Sequence, residues 1–468
     1  MNLTKLIPSL LLLLPICGAA ENRGTWLNDS LPQQWELTPQ VSQTLPSDDA
    51  WWHRFQDATL NSLISKAVAN NYNVAATVKR IEMARKTILE TKAGYFPTIS
   101  LSGGWTAEQQ SGAIVSPKTS SSHNSHFSLG ASMNWEIDLF GRIKAQVAQK
   151  KEAFNASKAE YDGVLVSLCA NVADAYIHLR TSQKQLEVAE RHIASQQKVV
   201  EITEARYEAD LGDMLEVTQA KVVLYNTQAA IPGLRAAIRA YINSISVLIG
   251  EYPGKTASML SSSAPMPSYR HSVEAGVPSD LLRRRPDIME AEMNLAQYAA
   301  AVGIAKKDFL PVLSISGSIG TDAHKASDLF GSHSMSYSIA PQLSWTLFDG
   351  FARNYRAAEA RLQFEAAIDS YNLTVMNAVE EVDNALIKYD SSLQSIALQQ
   401  SVVEQSEKSL SLAIDLYKAG LTPFSNVVDG QMNWLESQNS LVELEGNALS
   451  GLVSIYQALG GGFEYTDY

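Results

Sequence analysis

Two stretches of the chain share one pattern: Tyr95-Phe96-Pro97-Thr98-Ile99-Ser100-Leu101-Ser102-Gly103 and Phe309-Leu310-Pro311-Val312-Leu313-Ser314-Ile315-Ser316-Gly317. In both, an aromatic residue stands two positions before a proline, and apolar residues then alternate with serine as far as a glycine. The stretches begin 214 residues apart. A long internal repeat indicates a duplicated structural unit, so the fold depends on what one unit contains.

The repeat continues downstream over more than a hundred residues. At an offset of 210 residues, matching residues form the pairs Trp135 and Trp345, Phe154 and Phe364, Tyr161 and Tyr371, Val172 and Val382, Tyr207 and Tyr417, Val217 and Val427, and Gly250 and Gly460. The change of offset falls in polar segments between these matches. The chain of 468 residues is therefore predicted to contain two copies of one unit.

Each copy contains strictly alternating segments. From Phe127 to Ile137 the odd-numbered residues are apolar and the even-numbered ones are small or polar, and Tyr337 to Leu347 repeats this pattern with one interruption. A period of two predicts β-strands, and about ten alternating residues suffice for a tilted strand to cross a bilayer. The polar segments Thr106 to His126 and Gly320 to Met335 are predicted to be exposed loops.

Long helices are predicted after each pair of strands. From Phe351 to Ala419 there is neither glycine nor proline, and Val375, Val379, Val382, Leu386, Tyr389, Leu393 and Ile396 follow heptad spacing. About seventy residues at ~1.5 Å each give a rod of roughly 100 Å, longer than a bilayer is thick and rich in charge. We therefore expect the rods to stand in water. Turns at Tyr207 to Gly212 and Tyr417 to Pro423 return the chain as a second helix.

Four strands cannot close a barrel, and an open sheet edge in lipid leaves backbone groups unsatisfied. The chain must therefore assemble with copies of itself. Three copies supply twelve strands, enough for a hollow barrel continued by a hollow helical tube, although spacing alone leaves four copies open.

Composition excludes some classes of protein. The formal net charge of −12 argues against a nucleic-acid partner, which requires clustered Lys and Arg. The eight histidines show no metal-binding spacing, so neither a metal site nor a cofactor is predicted, and no motif indicates an enzyme.

The first residues are typical of an export signal. Residues 6 to 16 are mostly apolar and follow Lys5, a stretch too short to span a bilayer as a helix. The segment Leu14-Pro15-Ile16-Cys17 resembles a lipobox, which predicts that Cys17 is lipidated and becomes the mature N-terminus. Ile16 stands where a small residue is usual, and Gly18 and Ala20 would also suit ordinary cleavage.

Three segments resemble signatures of the outer membrane factor family, in particular its lipoprotein branch serving multidrug efflux. They are Trp51 to Leu60, Gly276 to Ile288 and Tyr417 to Leu421. The resemblance implies an α+β membrane protein: a TolC-like homotrimer with a 12-stranded β-barrel and an α-helical periplasmic tunnel. It also implies passive conduction of small molecules, with a periplasmic adaptor and an inner-membrane transporter, expected to be of the RND type, as partners.

These features divide the chain. The predicted segments are a signal peptide (1–16), an N-terminal anchor and belt segment (17–60), a first repeat (61–250, strands about 97–137, helices about 139–249), a linker (251–277), a second repeat (278–460, strands about 311–348, helices about 350–459) and a C-terminal tail (461–468).

The resemblance also implies a gate at the periplasmic tip, held by charged and tyrosyl contacts. Tyr417, Lys418 and Asp429 occupy the matching positions in the second repeat, and Glu216 and Arg206 are the candidates in the first. Two other functions remain open: a type I secretion duct for proteins, and a non-conducting coiled-coil surface protein. The amphipathic strand pairs argue against the second.

Overall fold

The computed structural model describes residues 27, 30–35, 41, 42, 50–111, 122–269 and 273–461. The predicted signal peptide, Cys17 and residues 462–468 lie outside the described residues. The described strands are β1 (Val41–Ser42), β2 (Thr98–Gln110), β3 (Ser122–Ile137), β4 (Val273–Glu274), β5 (Val312–Ala323) and β6 (Met335–Ser344). The described α-helices are α1 (Ala58–Asn70), α2 (Tyr72–Ala93), α3 (Arg142–Glu208), α4 (Met214–Leu248), α5 (Ala257–Leu260), α6 (Leu281–Arg284), α7 (Pro286–Lys307), α8 (Ala352–Lys418) and α9 (Ser425–Ala458).

The chain forms two compact units. One contains residues 79–158 and 290–370, with the sheet β2-β3-β5-β6 and the helix segments next to it. The other contains the described residues up to 78 together with 159–289 and 371–461, with most of α3 and α8 and all of α4 and α9. Each unit takes residues from both sequence repeats. None of the described helices is apolar over a stretch long enough to cross a membrane.

All neighbouring strands of the four-stranded sheet are antiparallel. Leu101 pairs with Ala131, Ala131 with Ile319, and Ile319 with Tyr337, so one face is apolar from edge to edge. Ser100, Ser132, Ser318 and Ser338 form the corresponding row on the other face. Because β2 and β6 lie at the two ends of the sheet, one edge of each has no partner among the described strands.

The first strand pair is longer than its apolar pattern. Thr106 pairs with His126 and Gln110 with Ser122, so the loop expected from Thr106 to His126 was wrong at both ends. Backbone ladder bonds need no apolar side chains, which allows the strands to continue into polar sequence. In the second pair the strand ends at Ser344, before the expected limit near 348. There the Trp345 indole donates to the Phe309 carbonyl (3.0 Å), and the Thr346 carbonyl accepts from Arg353.

The strand-to-helix junctions are equivalent in the two repeats. Asp138 accepts from the backbone N–H groups of Ile143 and Lys144, and so caps α3, while Asp349 caps α8 by accepting from the N–H of Arg353. The residue before α3 is Gly141, with φ 72°, and the matching residue before α8 is Phe351, with φ 67°. A side chain in this left-handed region costs about 1 kcal/mol, so the second junction is strained.

The heptad positions of α8 are covered by neighbouring helices. Val375, Val382 and Leu386 are each at most 3% exposed. Away from the turns that join the long helices, side-chain contacts show that the helices lie side by side in the order α4, α3, α9, α8. Gln196 of α3 donates to Thr227 of α4 (2.9 Å), His192 of α3 contacts Gln438 of α9 (3.1 Å), and Gln399 of α8 donates to the Ser437 carbonyl of α9 (3.0 Å). The helices α4 and α8 are therefore at the ends of the row.

The returning helices α4 and α9 end in equivalent junctions. Gly250 has φ 76°, and a Cβ there would lie 2.3 Å from the Asn70 carbonyl oxygen. At Gly460, φ is 88° and the distance to the Arg284 carbonyl oxygen would be 2.7 Å. Beside these glycines, Asn71 donates to the Leu248 carbonyl (2.8 Å) and Arg285 to the Ala458 carbonyl (2.8 Å).

Two of the signature segments and the linker make structural contacts with the long helices. Trp51 stacks on Tyr456 at 5.3 Å between ring centroids, which fixes the N-terminal segment to α9. Arg285, only 7% exposed, also contacts Asp287 (2.6 Å) and Glu381 (2.7 Å), so it joins α7, α8 and α9. The linker packs on α3, where Gln183 donates to the Leu260 carbonyl (2.7 Å).

Candidate functional site

The ends of α3 and α8 and the starts of α4 and α9 meet in a small apolar core. We call this region the tip. Its buried members are Val199, Val200, Ala220, Leu224, Leu410, Tyr417, Phe424 and Val427. Tyr417 is 2% exposed, and its ring lies 5.1 Å from that of Phe424. The core holds the turns of both repeats against one another.

The Tyr417 hydroxyl joins the two repeats. It donates to the Glu216 carboxylate at 2.7 Å, although the two residues belong to different helical hairpins. Glu216 is positioned at the start of α4, where its backbone N–H donates to the capping carboxylate of Asp213 (3.1 Å). Burial, and then the contact with Glu216, raises the pKa of Tyr417 to about 12. The hydroxyl therefore stays protonated and able to donate at every physiological pH.

Arg206 completes this contact from the end of α3. Its guanidinium lies 4.7 Å from the centroid of the Tyr417 ring, a favourable cation–π arrangement. It donates to the carbonyl of Lys418, the last residue of α8 (3.2 Å), and to the carbonyl of Leu211 in the turn after α3 (2.8 Å), so it ties the two turns together. We call Tyr417, Glu216 and Arg206 the tip latch.

The structure places the remaining two predicted site residues outside the latch. The Lys418 side chain is half exposed and lies 4.0 Å from Asp415, while only its backbone carbonyl contacts Arg206. Asp429 is exposed on α9, and within the described part of the chain its carboxylate has no hydrogen-bonding or ionic partner. Asp429 therefore takes no part in the contacts between Tyr417, Glu216 and Arg206.

Sequence reasoning missed two features of the tip. Phe424, which packs on Tyr417, begins a helix without any polar capping side chain that would have drawn attention to it. The pairing of Tyr417 with Glu216 joins distant parts of the chain, and only the Asp213-x-x-Glu216 pattern of a helix start could have indicated where Glu216 lies.

The polar face of the sheet is the second candidate site. Its side chains are mainly serine: Ser100, Ser102, Ser128, Ser132, Ser314, Ser316, Ser318, Ser336, Ser338 and Ser344. Within the four strands, the acidic residues of this face lie only near its two ends. Glu136, at one end, forms an ion pair with Arg142 (2.8 Å), and Glu108 and Asp322 lie at the other end. Such a face suits contact with water and solutes of varied charge.

A sheet with one exposed apolar face and one serine-lined face, continued by long polar helices, defines the protomer of a membrane channel. The model for the family described as outer membrane efflux protein matches residues 63–251 and 277–461. The chain belongs to this family, and it is an outer-membrane channel component of a tripartite efflux system. Channels of the family form trimers and work with a periplasmic adaptor and an inner-membrane pump, and no enzymatic family is indicated.

Similar proteins cover nearly the whole chain. The solvent efflux pump outer membrane protein SrpC of Pseudomonas putida is 29% identical over 412 residues, covering 87% of this chain and 86% of SrpC. The cation efflux system protein CusC of Escherichia coli O6:H1 is 26% identical over 464 residues, covering 97% and 99%. The solved structure of the outer-membrane channel OprN is 28% identical, with a TM-score of 0.84, and the match covers 92% of this chain and 97% of OprN. These relatives favour the efflux role over protein secretion and over a non-conducting surface protein.

Proposed function

We propose that three copies of the chain close a 12-stranded barrel in the outer membrane, continued by an α-helical periplasmic tunnel, and that small molecules pass through it without chemical change. The observation that carries this proposal is that both the sheet and the helix row are open at their ends. The division into signal peptide, belt, two repeats, linker and tail is retained as part of the proposal.

The open sheet edges require other chains in lipid. Unsatisfied backbone groups in a bilayer cost several kcal/mol each, so the free edges of β2 and β6 must be paired. Pairing β6 of one copy with β2 of the next satisfies both edges by one interaction. Four strands per chain reach a barrel of twelve with three copies.

The two end helices carry matching apolar stripes. On α8, exposed apolar residues cover an arc of about 80° at 100° per residue, opposite the buried heptad seam. They are Leu373, Met376, Ile387, Leu398, Val402, Leu412 and Leu416. On α4 the exposed stripe contains Met214, Leu215, Val222, Tyr225 and Val247. Large apolar patches on a surface indicate an interface, and a stripe at each end of the row fits head-to-tail closure of a ring.

A charge in the α8 stripe is expected to prevent assembly. Leu398 is 72% exposed in the single chain, so Leu398→Asp should leave the fold of the chain intact but bury a carboxylate in the trimer. We expect the trimer band on native gels to fall at least tenfold. Gln400→Asp is the matched control, because Gln400 is exposed about 200° away around the same helix. Equal trimer yields for the two variants would contradict the proposed interface.

The chemistry of the lumen supports a broad range of cargo. In the proposed barrel the serine-lined face points inward, and small neutral side chains neither block the passage nor select strongly by charge. Selection then belongs to the partners, which we propose to be a periplasmic adaptor and an inner-membrane transporter of the RND type. The similarity to a protein named as the outer membrane protein of a solvent efflux pump supports a pump as one of the partners.

The tip latch is proposed to hold the periplasmic end closed. It ties the turn of the first repeat to that of the second, so opening the tip by separating the hairpins must break the Tyr417 to Glu216 hydrogen bond. Lys418 and Asp429, both exposed, are proposed to meet the neighbouring copies or the adaptor at the same level.

Cys17 is proposed to anchor the N-terminus in the outer membrane through lipid. We expect cells fed radiolabelled palmitate to label the wild-type protein and not Cys17→Ser. Cys169 is fully buried in α3, and burial raises the pKa of its thiol to about 12, so it cannot compete for acylation. Mass spectrometry of the mature N-terminal peptide provides the second readout, and an unacylated N-terminus beyond Cys17 would contradict lipidation.

A further inference from the structure

We propose that His126 and His324 form a binding site for a divalent transition-metal ion, such as Cu²⁺, Ni²⁺ or Zn²⁺, at the end of the sheet remote from the long helices. The site lies within one chain. It goes beyond the proposed channel function, which requires no metal.

His126 lies in β3, and His324 is the first residue after β5. Phe127 pairs with Ala323 as the last pair of this antiparallel ladder, so continuing the register by one residue sets His324 opposite His126. Opposed side chains on one face have Cβ atoms about 5 Å apart, a spacing that two imidazoles need to reach one ion. Phe127 belongs to the apolar face, so alternation places its neighbour His126 on the serine-lined face, beside the end of β5 from which His324 follows.

The His324 ring is held in the orientation that a metal ligand needs. Its Nδ1 lies 2.8 Å from the carbonyl oxygen of Ser125, the residue before His126. Since a carbonyl only accepts, Nδ1 carries the proton and donates, which leaves Nε2 unprotonated with a free lone pair. Histidines that bind metals commonly donate their other ring nitrogen to a carbonyl in this way. The ring is thereby fixed beside His126 before any ion arrives.

The surroundings favour a cation. Asp322 lies opposite Ser128, one step further along the same face, and Glu108 of β2 lies opposite Asn124. Both acidic side chains are exposed and can attract a hydrated cation or bind its water molecules. Among the described residues no group of three His, Cys, Asp or Glu side chains is close enough to hold a metal together. The site therefore supplies two imidazoles per chain, and water completes the coordination.

The choice of ion follows from the ligands. Two neutral imidazoles favour Cu²⁺, with Ni²⁺ and Zn²⁺ binding more weakly, whereas Mg²⁺ and Ca²⁺ prefer oxygen ligands. Lys325, next to His324, follows the end of β5 and cannot act as a ligand while it is charged.

The test is a competition titration of the purified full-length protein, without a polyhistidine tag, against a chromophoric indicator for Cu²⁺, Ni²⁺ and Zn²⁺. We expect one ion per chain and at least a tenfold loss of affinity in both His126→Ala and His324→Ala. His333→Ala is the control, because His333 is exposed in the loop before β6 and contacts Ser332. Wild-type affinity in either of the first two variants, or an equal loss in the control, would overturn the site.

A second measurement separates this site from the channel itself. If the serine-lined face lines the lumen, Zn²⁺ added on the outer side should lower the conductance of the wild-type channel in planar bilayers and leave His324→Ala unaffected. Metal binding without any conducting channel would contradict the proposed duct and uphold the site. A conducting channel that binds no metal would overturn the site and uphold the duct.

Discussion

Gly250→Ala and Gly460→Ala are each expected to destabilise the folded chain by about 2–4 kcal/mol. A left-handed backbone costs an alanine about 1 kcal/mol, and overpacking a filled site adds about 1–3 kcal/mol. The new Cβ would lie 2.3 Å from the Asn70 carbonyl oxygen in the first variant and 2.7 Å from that of Arg284 in the second. Both obstacles are backbone atoms, which cannot move without shifting the end of a helix.

Gly420→Ala separates the cost of a left-handed backbone from the cost of a clash between the new Cβ and its neighbours. Gly420 has a similar left-handed φ of 71°, but a Cβ there would meet no atom within 4 Å. We expect Gly420→Ala to lower the free energy of unfolding by only about 1 kcal/mol, the cost of the left-handed backbone. Thermal unfolding followed by circular dichroism should therefore give a clearly lower melting temperature for Gly250→Ala and Gly460→Ala than for Gly420→Ala. Equal melting temperatures for all three variants would show that the junctions tolerate a side chain.

Tyr417→Phe is expected to open the channel. It removes the hydroxyl that donates to Glu216 and keeps the ring that packs on Phe424 and Arg206. A hydrogen bond to a carboxylate that is partly open to solvent contributes about 1 kcal/mol. If the three tips of a trimer open together, the loss is on the order of 3 kcal/mol, which raises the ratio of open to closed channels roughly 100-fold.

The measurement is single-channel recording in planar bilayers, with the open fraction compared between variants. Tyr207→Phe is the matched control, because Tyr207 is the equivalent residue of the first repeat and is 47% exposed. We expect the open fraction of the control to equal that of the wild type. An unchanged open fraction in Tyr417→Phe would remove the latch from the closing mechanism and leave Asp429, which is proposed to meet neighbouring copies or the adaptor, as the remaining candidate.

Features encoded in short-range periodicity could be predicted from the sequence. The alternation around Phe127 predicted a strand, the heptads around Val382 predicted a buried helix face, and the repeat predicted that each element would occur twice. These patterns depend only on which face of an element avoids water. The strand ends were less predictable. The residues Thr106 to Gln110 are polar, yet their backbones pair with β3, because backbone hydrogen bonds between strands do not depend on the polarity of the side chains.

Contacts between distant segments could not be predicted in this way. No local pattern shows that Tyr417 meets Glu216, that Arg285 reaches the Ala458 carbonyl, or that His126 lies opposite His324. Each contact follows from the order of helices or the register of strands, which the folded chain sets as a whole. The sequence does contain a signal for the exposed stripe of α8, since Met376, Ile387 and Leu398 recur every eleven residues, a spacing that shifts only about 20° around the helix per repeat.

The number of chains in the assembled channel tests the central claim most directly. Native mass spectrometry of the protein extracted from outer membranes should show one species of three chains, since twelve strands then close the barrel and each α8 stripe meets an α4 stripe. A membrane-inserted species of one or two chains would contradict the account, because its sheet edges would remain open in lipid. A stable species of four chains would equally contradict it by requiring a barrel of sixteen strands.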